Sequence, residues 1–250
     1  MPRSRQVLIL GGTGEARALA DMLVSHPGLV VTTSLAGRTV TPRLPHGEVR
    51  VGGFGGATGM AKYLKAAAID LVVDASHPYA AAISTHAVDA CQTTGRPLLR
   101  FERPAWKPQK GDRWIVVDNL AAAAKAAPEI GRRTFLTIGV KELATFSSVA
   151  KTWFLVRLVD RPLDPVPLTD FELVLARGPF ALSDERALMH QHRIDLVIAK
   201  NSGGEATYAK IAAARELGLP VLLLRRPSLP PAETADTLDE VLGWIDAQSG

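Results

Sequence analysis

A chain of 250 residues, 47% apolar and 22% charged, holds enough material for one large or two small α/β cores. A single cysteine, Cys91, excludes an internal disulfide framework, and no apolar run approaches the ~20 residues of a membrane span, so a soluble cytoplasmic protein is expected. The net charge of +4 comes without a Lys/Arg block or a nucleic-acid module, which favours a polyanionic small ligand over nucleic acid.

Short apolar runs rich in Val, Ile and Leu predict strands at 6–10, 29–34, 48–51, 71–74, 98–101, 114–117, 134–138, 152–158, 171–176, 196–200 and 221–224. Helical stretches intervene at 15–25, 57–68, 80–94, 119–127, 141–149, 183–193 and 205–217. A last helix carries Leu238, Val241, Leu242 and Ile245 on one face, with Thr237 and Glu240 spaced as a capping box. Strict alternation of this kind predicts α/β architecture with doubly wound parallel sheets.

The polar, Pro/Gly-punctuated stretch 104–113 is the natural linker, giving expected domains at 1–103 and 114–250. An internal echo supports two of them. Residues 69–104 and 194–227 both run strand, polar loop, Ala-rich helix, strand, Arg-Pro.

In open parallel sheets, ligands bind beyond the carboxyl ends of the strands. The predicted first strand ends in Gly11-Gly12-Thr13-Gly14, opening a helix whose N–H groups and dipole suit a pyrophosphate. The third fingerprint position holds Arg17 rather than Gly or Ala. The second strand ends near Ser34 and Arg38, the third in Gly52-Gly53-Phe54-Gly55-Gly56, and the fourth in Asp74-Ala75-Ser76-His77-Pro78-Tyr79. Four such turns on one edge predict a dinucleotide site made by Gly11, Gly12, Thr13, Gly14, Ser34, Arg38, Gly53, Phe54, Gly55, Ser76 and His77.

No acid lies between Asp21 and Glu48 to accept from a ribose 2′-hydroxyl, whereas Ser34 and Arg38 can hold a 2′-phosphate. NADP(H) is therefore the expected cofactor. Gly53 and Gly55 allow close backbone approach of the nicotinamide, and His77 and Tyr79 stand at the predicted mouth.

The second half supplies Gly139-Val140-Lys141-Glu142, Arg177-Gly178-Pro179 and Lys200-Asn201-Ser202-Gly203-Gly204, with Thr207 and Lys210 further along the predicted helix. Lys141, Arg177, Lys200, Asn201, Ser202, Gly203, Gly204, Thr207 and Lys210 are candidates for holding an anionic substrate. No ligand spacing among the six histidines predicts a metal site, and no Gly-x-Ser-x-Gly elbow is present.

The segments "ILGGTGEARALA", "SLAGRT", "GGFGG", "DASHPYA", "RFERPAW", "IGVKEL", "KNSGG" and "TYAKIAAARELGLPVLLLRRP" follow one another from residue 9 to 227. In that order the chain resembles the precorrin-6A reductase family of cobalamin biosynthesis. The resemblance implies NADPH-dependent reduction of a double bond in the precorrin-6A macrocycle, giving precorrin-6B. It implies two Rossmann-like domains with a cleft between them, the cofactor on the first and the tetrapyrrole's carboxylates held by cations and helix N-termini. The proton that completes the reduction is left to Lys200, Tyr79, His77 or water. Another NADPH reductase and a non-catalytic NADP-binding regulator are the alternatives. The first is disfavoured by the lack of a Tyr-x-x-x-Lys pair.

Overall fold

The computed structural model describes residues 3–37 and 43–248. It divides into two units, one containing residues up to Pro104 and from Pro227 onward, the other Ala105–Arg226.

The first unit runs β1 (Arg5–Leu10), α1 (Gly14–Leu23), β2 (Leu29–Leu35), β3 (Glu48–Val51), α2 (Gly56–Ala66), β4 (Leu71–Asp74), α3 (Ala81–Thr94) and β5 (Leu98–Phe101). Its last elements, β12 (Glu233–Ala235) and α7 (Leu238–Ala247), arrive from the far end of the chain. All pairings are parallel, in the order β12-β5-β4-β1-β2-β3. Successive residues of β1 serve opposite faces, as the two-residue period requires. Val7 and Ile9 pack with Leu19 and Leu23 of α1, while Leu8 and Leu10 pack with Met60 and Leu64 of α2. Burial on both faces is what makes these strands continuous apolar runs.

The second unit runs β6 (Arg113–Val117), α4 (Leu120–Ile130), β7 (Arg133–Thr137), a 3₁₀ helix (Val140–Phe146), β8 (Trp153–Leu158), β9 (Phe171–Leu175), α5 (Leu182–Gln191), β10 (Leu196–Lys200), α6 (Ala209–Glu216) and β11 (Pro220–Leu224). Its parallel sheet has the order β6-β11-β10-β7-β8-β9. The two sheets are the same doubly wound design. Strand order reverses between β1 and β4 in one and between β7 and β10 in the other, and the echoed segments occupy equivalent places as β4-α3-β5 and β10-α6-β11.

The sixth place differs, and it corrects the expected boundaries. Residues 227–250 do not continue the second domain: described residues of this segment return to the first. There β12 pairs with β5 through Glu233↔Leu99, Thr234↔Arg100 and Ala235↔Phe101. Val241, Trp244 and Ile245 of α7 then complete the core around Val7, Ile9 and Leu71. The buried Arg100 fastens the returning segment by donating to the Pro230 carbonyl at 2.9 Å. Nor is 104–113 a free linker. Trp106 donates its amide to Asn201 Oδ1 at 2.8 Å and its indole N–H to the Gly204 carbonyl at 2.9 Å, and residues 105–113 belong to the second unit.

Two helix expectations shift for local reasons. The stretch after β7 is 3₁₀ rather than α, and α6 begins at Ala209 because Gly203 and Gly204 both take left-handed backbone (φ +71° and +69°) ahead of it. At α7 only half of the capping box forms. Thr237 accepts from the Glu240 amide at 3.2 Å, but the Glu240 carboxylate turns to the Asp236 amide.

Candidate functional site

In the first unit, the reversal of strand order brings the turns after β1 and β4 side by side. Thr13 ties them together. Its hydroxyl accepts from the Ala16 amide as the N-cap of α1 and donates to the Ala75 carbonyl, both at 3.0 Å. Gly11 sits against β2, where a Cβ would lie 2.8 Å from Thr33 Cγ2, and Gly12 takes a φ of +110°. Gly14 has neither reason to be glycine: its φ is ordinary for any residue, and a methyl group there would meet nothing within 4 Å. The amides of Gly12, Thr13, Gly14 and Glu15 have no acceptor among the described residues. Arg17 is not obliged to be small, because Ala16 and Ala20 make the close contact of α1 with the sheet.

Beside this turn, β2 and β3 are in register at Ser34↔Arg50. The Arg50 guanidinium donates to Ser34 Oγ at 3.1 Å and to the carbonyls of Gly52 and Gly53, each at 2.6 Å. Phe54 covers its face at 3.8 Å. Arg50 is absent from the residues expected at the site, since an arginine in a short strand looks like any surface charge until the register sets it opposite Ser34. Gly55 and Gly56 need positive φ (+78° and +85°), whereas Gly53, like Gly14, is unforced. Arg38 lies outside the described residues.

After β4, the buried Asp74 accepts from the Ser76 amide at 3.2 Å and faces Arg100 Nε at 3.9 Å. It does not cap α3, whose N-cap is Ala80. His77 Nδ1 accepts from the Tyr79 amide at 3.2 Å, which leaves the ring proton on Nε2. The two rings lie 5.7 Å apart, at the turn, and Ser76 Oγ approaches Ser84 Oγ at 3.4 Å.

At the equivalent reversal in the second unit, Lys200 ends β10 and places Nζ 2.6 Å from Glu142 Oε1. Glu142 Oε2 accepts from the Gly139 amide at 2.8 Å, closing the 3₁₀ turn. The amides of Gly203 and Gly204 have no acceptor among the described residues. Arg226 grips the same loop from beneath, donating to the carbonyls of Asn201 and Ser202 at 2.9 and 3.0 Å.

Another concentration of positive charge is not part of this edge. Arg3, Arg5, Lys65 and Arg96, with Asp70, line a cavity of about 450 Å³ at the opposite, amino-terminal ends of β1, β4 and β5. Lys65 lies in the last turn of α2, Arg96 just beyond α3, and Arg5 donates to the Ile245 carbonyl in the last turn of α7 at 3.1 Å. These cations offset the negative ends of three helices. Burial pushes the Asp70 carboxyl upward, but the Gln6 amide and Arg3 together outweigh it and hold its pKa below the ordinary value. Burial, helped by the nearby Asp74 carboxylate, carries the Cys91 thiol up to about 12, as expected of a packing residue.

The family model described as precorrin-6x reductase CbiJ/CobK matches residues 6–246. The chain belongs to that family. A precorrin-6A reductase of Rhodococcus erythropolis is 51% identical over 241 residues, 96% of this chain and 97% of that protein. A cobalt-precorrin-6A reductase of Priestia megaterium is 31% identical over 248 residues, 94% of this chain and 96% of that one. A solved CobK precorrin-6A reductase matches with a TM-score of 0.93 at 43% identity, covering 98% of both chains.

Within this chain the expected residues fall into two groups. Gly11, Gly12, Thr13, Gly14, Ser34, Gly53, Phe54, Gly55, Ser76, His77 and Tyr79 gather at the carboxyl edge of the first sheet. In the second unit, Lys141 is exposed on the 3₁₀ helix, Arg177 follows β9 with its guanidinium 3.5 Å from Asp160, and Thr207 precedes α6. Two others turn inward. Asn201 spends both side-chain atoms on the Trp106 backbone (2.8 and 3.1 Å), and the buried Lys210 donates to the Thr207 carbonyl at 2.7 Å beneath the Trp106 ring. An amide or ammonium beside a glycine turn looks the same in sequence whether it faces ligand or packing.

Proposed function

We propose that the chain reduces precorrin-6A to precorrin-6B with NADPH, in the cytoplasm, as a step of cobalamin biosynthesis. The family membership supports the reaction. The observation that carries the cofactor's placement is the pair of unforced glycines, Gly14 and Gly53, each within a run of amides that lack acceptors among the described residues, on either side of Ser34. Glycine with no backbone or packing reason at a turn is what close approach of a ligand requires. Higher identity to the cobalt-free enzyme than to the cobalt one supports the metal-free macrocycle as substrate.

When bound, the reduced nicotinamide supplies a hydride for the macrocycle's double bond. The protein's own part is to bind and orient. Amides of residues 12–15 and the N-terminal end of α1 hold the pyrophosphate, and Ser34 with Arg38 holds the 2′-phosphate. Gly53 and Gly55 would leave room for the nicotinamide, and Ser76 and His77 on the neighbouring turn would help to hold it.

On the second unit, Lys141, Arg177, Lys200 and the Gly203 and Gly204 amides hold the macrocycle's carboxylates. Lys200, held 2.6 Å from Glu142 at the end of β10, is assigned to carboxylate recognition. The proton then comes from His77, Tyr79 or water. Fixing donor and acceptor together removes the entropic cost of their encounter, the main contribution required of such a site.

Anaerobic incubation of the enzyme with NADPH and metal-free precorrin-6A tests this. Stoichiometric loss of reduced-nicotinamide absorbance with formation of precorrin-6B is expected, with NADH and cobalt-precorrin-6A slower. NADPH binding without turnover of either macrocycle would instead make the chain a regulator.

A further inference from the structure

The loop after β3 holds three carbonyls in fixed directions. Those of Gly52 and Gly53 converge on the single guanidinium of Arg50, and that of Phe54 lies against Gly59, where a Cβ would come within 1.8 Å of the oxygen. In a trans peptide the C=O and the following N–H point in opposite directions. The amides of Gly53, Phe54 and Gly55 are therefore turned away from Arg50 and from α2, and none has an acceptor among the described residues. Arg50 is itself fixed from two further sides. Ser34 Oγ accepts from it across the β2–β3 register, and Phe54 and Tyr63 stand 3.8 and 5.1 Å from its guanidinium carbon.

We propose that Arg50 is a positioning residue, fixing the peptide planes that turn the amides of Gly53, Phe54 and Gly55 away from the protein, as donors to oxygens of the nicotinamide coenzyme. Three of its five N–H donors are engaged by protein carbonyls and Ser34, and one face is covered by Phe54, so the part assigned to Arg50 is exerted through the loop. The planar fork matters as much as the charge. One guanidinium spans two successive carbonyls and a hydroxyl, which a lysine ammonium, a point charge on a flexible stem, does not reproduce. The proposal rests on the reading that the first unit's turns hold the coenzyme.

The test compares Arg50→Gln and Arg50→Lys with the wild-type enzyme, measuring dissociation constants for NADPH and NADH, KM and kcat. Both variants should weaken both coenzymes by about tenfold, the cost of losing the loop's hydrogen bonds, with a further loss for NADPH because Ser34 is released as well, and the KM for the macrocycle unaltered. A loss confined to NADPH would overturn the proposal by making Arg50 a direct reader of the 2′-phosphate. Full recovery in Arg50→Lys, or no loss in either variant, would also overturn it. Should the variants fold poorly, the wild-type amide resonances of Gly53, Phe54 and Gly55 decide. They should shift on NADPH addition, and their standing still while NADPH binds would refute the proposal. Wild-type enzyme that binds neither coenzyme would refute the underlying reading instead.

Discussion

Lys200 and Glu142 meet across the strand-order reversal of the second sheet, ammonium to carboxylate at 2.6 Å, and the carboxylate's second oxygen is anchored on the Gly139 amide. An incoming substrate carboxylate would find the ammonium already aimed. Replacing Lys200 by Ala should raise KM for the tetrapyrrole about tenfold, the scale of one charge-assisted bond, while kcat stays within about threefold. Steady-state kinetics with saturating NADPH reads the split. A kcat loss with KM unchanged would move Lys200 to proton delivery.

Gly11 and Gly14 are three residues apart yet glycine for different reasons. At Gly11 a methyl group would press on the buried Thr33 side chain, so Gly11→Ala should lower stability by about 1–3 kcal/mol. At Gly14 the same change meets nothing, and stability should hold or rise by about 0.5 kcal/mol. NADPH affinity should nevertheless fall in Gly14→Ala. Thermal denaturation and coenzyme titration of the two variants separate packing from ligand room.

Asn201 acts as a clasp. Its two bonds to the Trp106 backbone hold the stretch that leads into β6, so Asn201→Ala should cost about 1–3 kcal/mol in denaturant unfolding. KM for the macrocycle, measured where the variant is fully folded, should not change. A rise in KM without loss of stability would return Asn201 to substrate binding.

Asp70 gives the acid limb of stability a definite sign. Its pKa is lower folded than unfolded, so its contribution is complete above the unfolded carboxylate value and fades as pH falls through the folded one. Asp70→Asn should therefore be less stable than wild type at neutral pH, by about 1 kcal/mol for a solvent-screened cluster, and the difference should shrink in strongly acidic solution. Urea midpoints across that range provide the measurement.

The strands and their glycine turns are legible because parallel strands buried on both faces leave continuous apolar runs, and turns at a ligand edge leave glycines. The short strand Glu233–Ala235 is not. It has one buried apolar residue, Ala235, follows prolines, and exists because β5 offers it an unpaired edge. The stripe of Val241 and Ile245 announces a buried helix face but not which core it joins. Arg50 stays hidden because its partners are carbonyls and a register neighbour. Lys210 and Asn201 are legible as polar groups on a glycine loop, but their inward direction is set by Trp106, roughly a hundred positions earlier in the chain.

The return of β12 and α7 to the first sheet sets the order in which the polypeptide can finish folding. The nascent amino-terminal half leaves the ribosome with an open strand edge at β5 and a vacant place in its core, and it must wait for the intervening lobe to be translated before Trp244 and Ile245 arrive to fill it. The half made first is thus the last to be completed, and cutting the chain just beyond Arg226 should damage the end of the protein that emerged at the beginning.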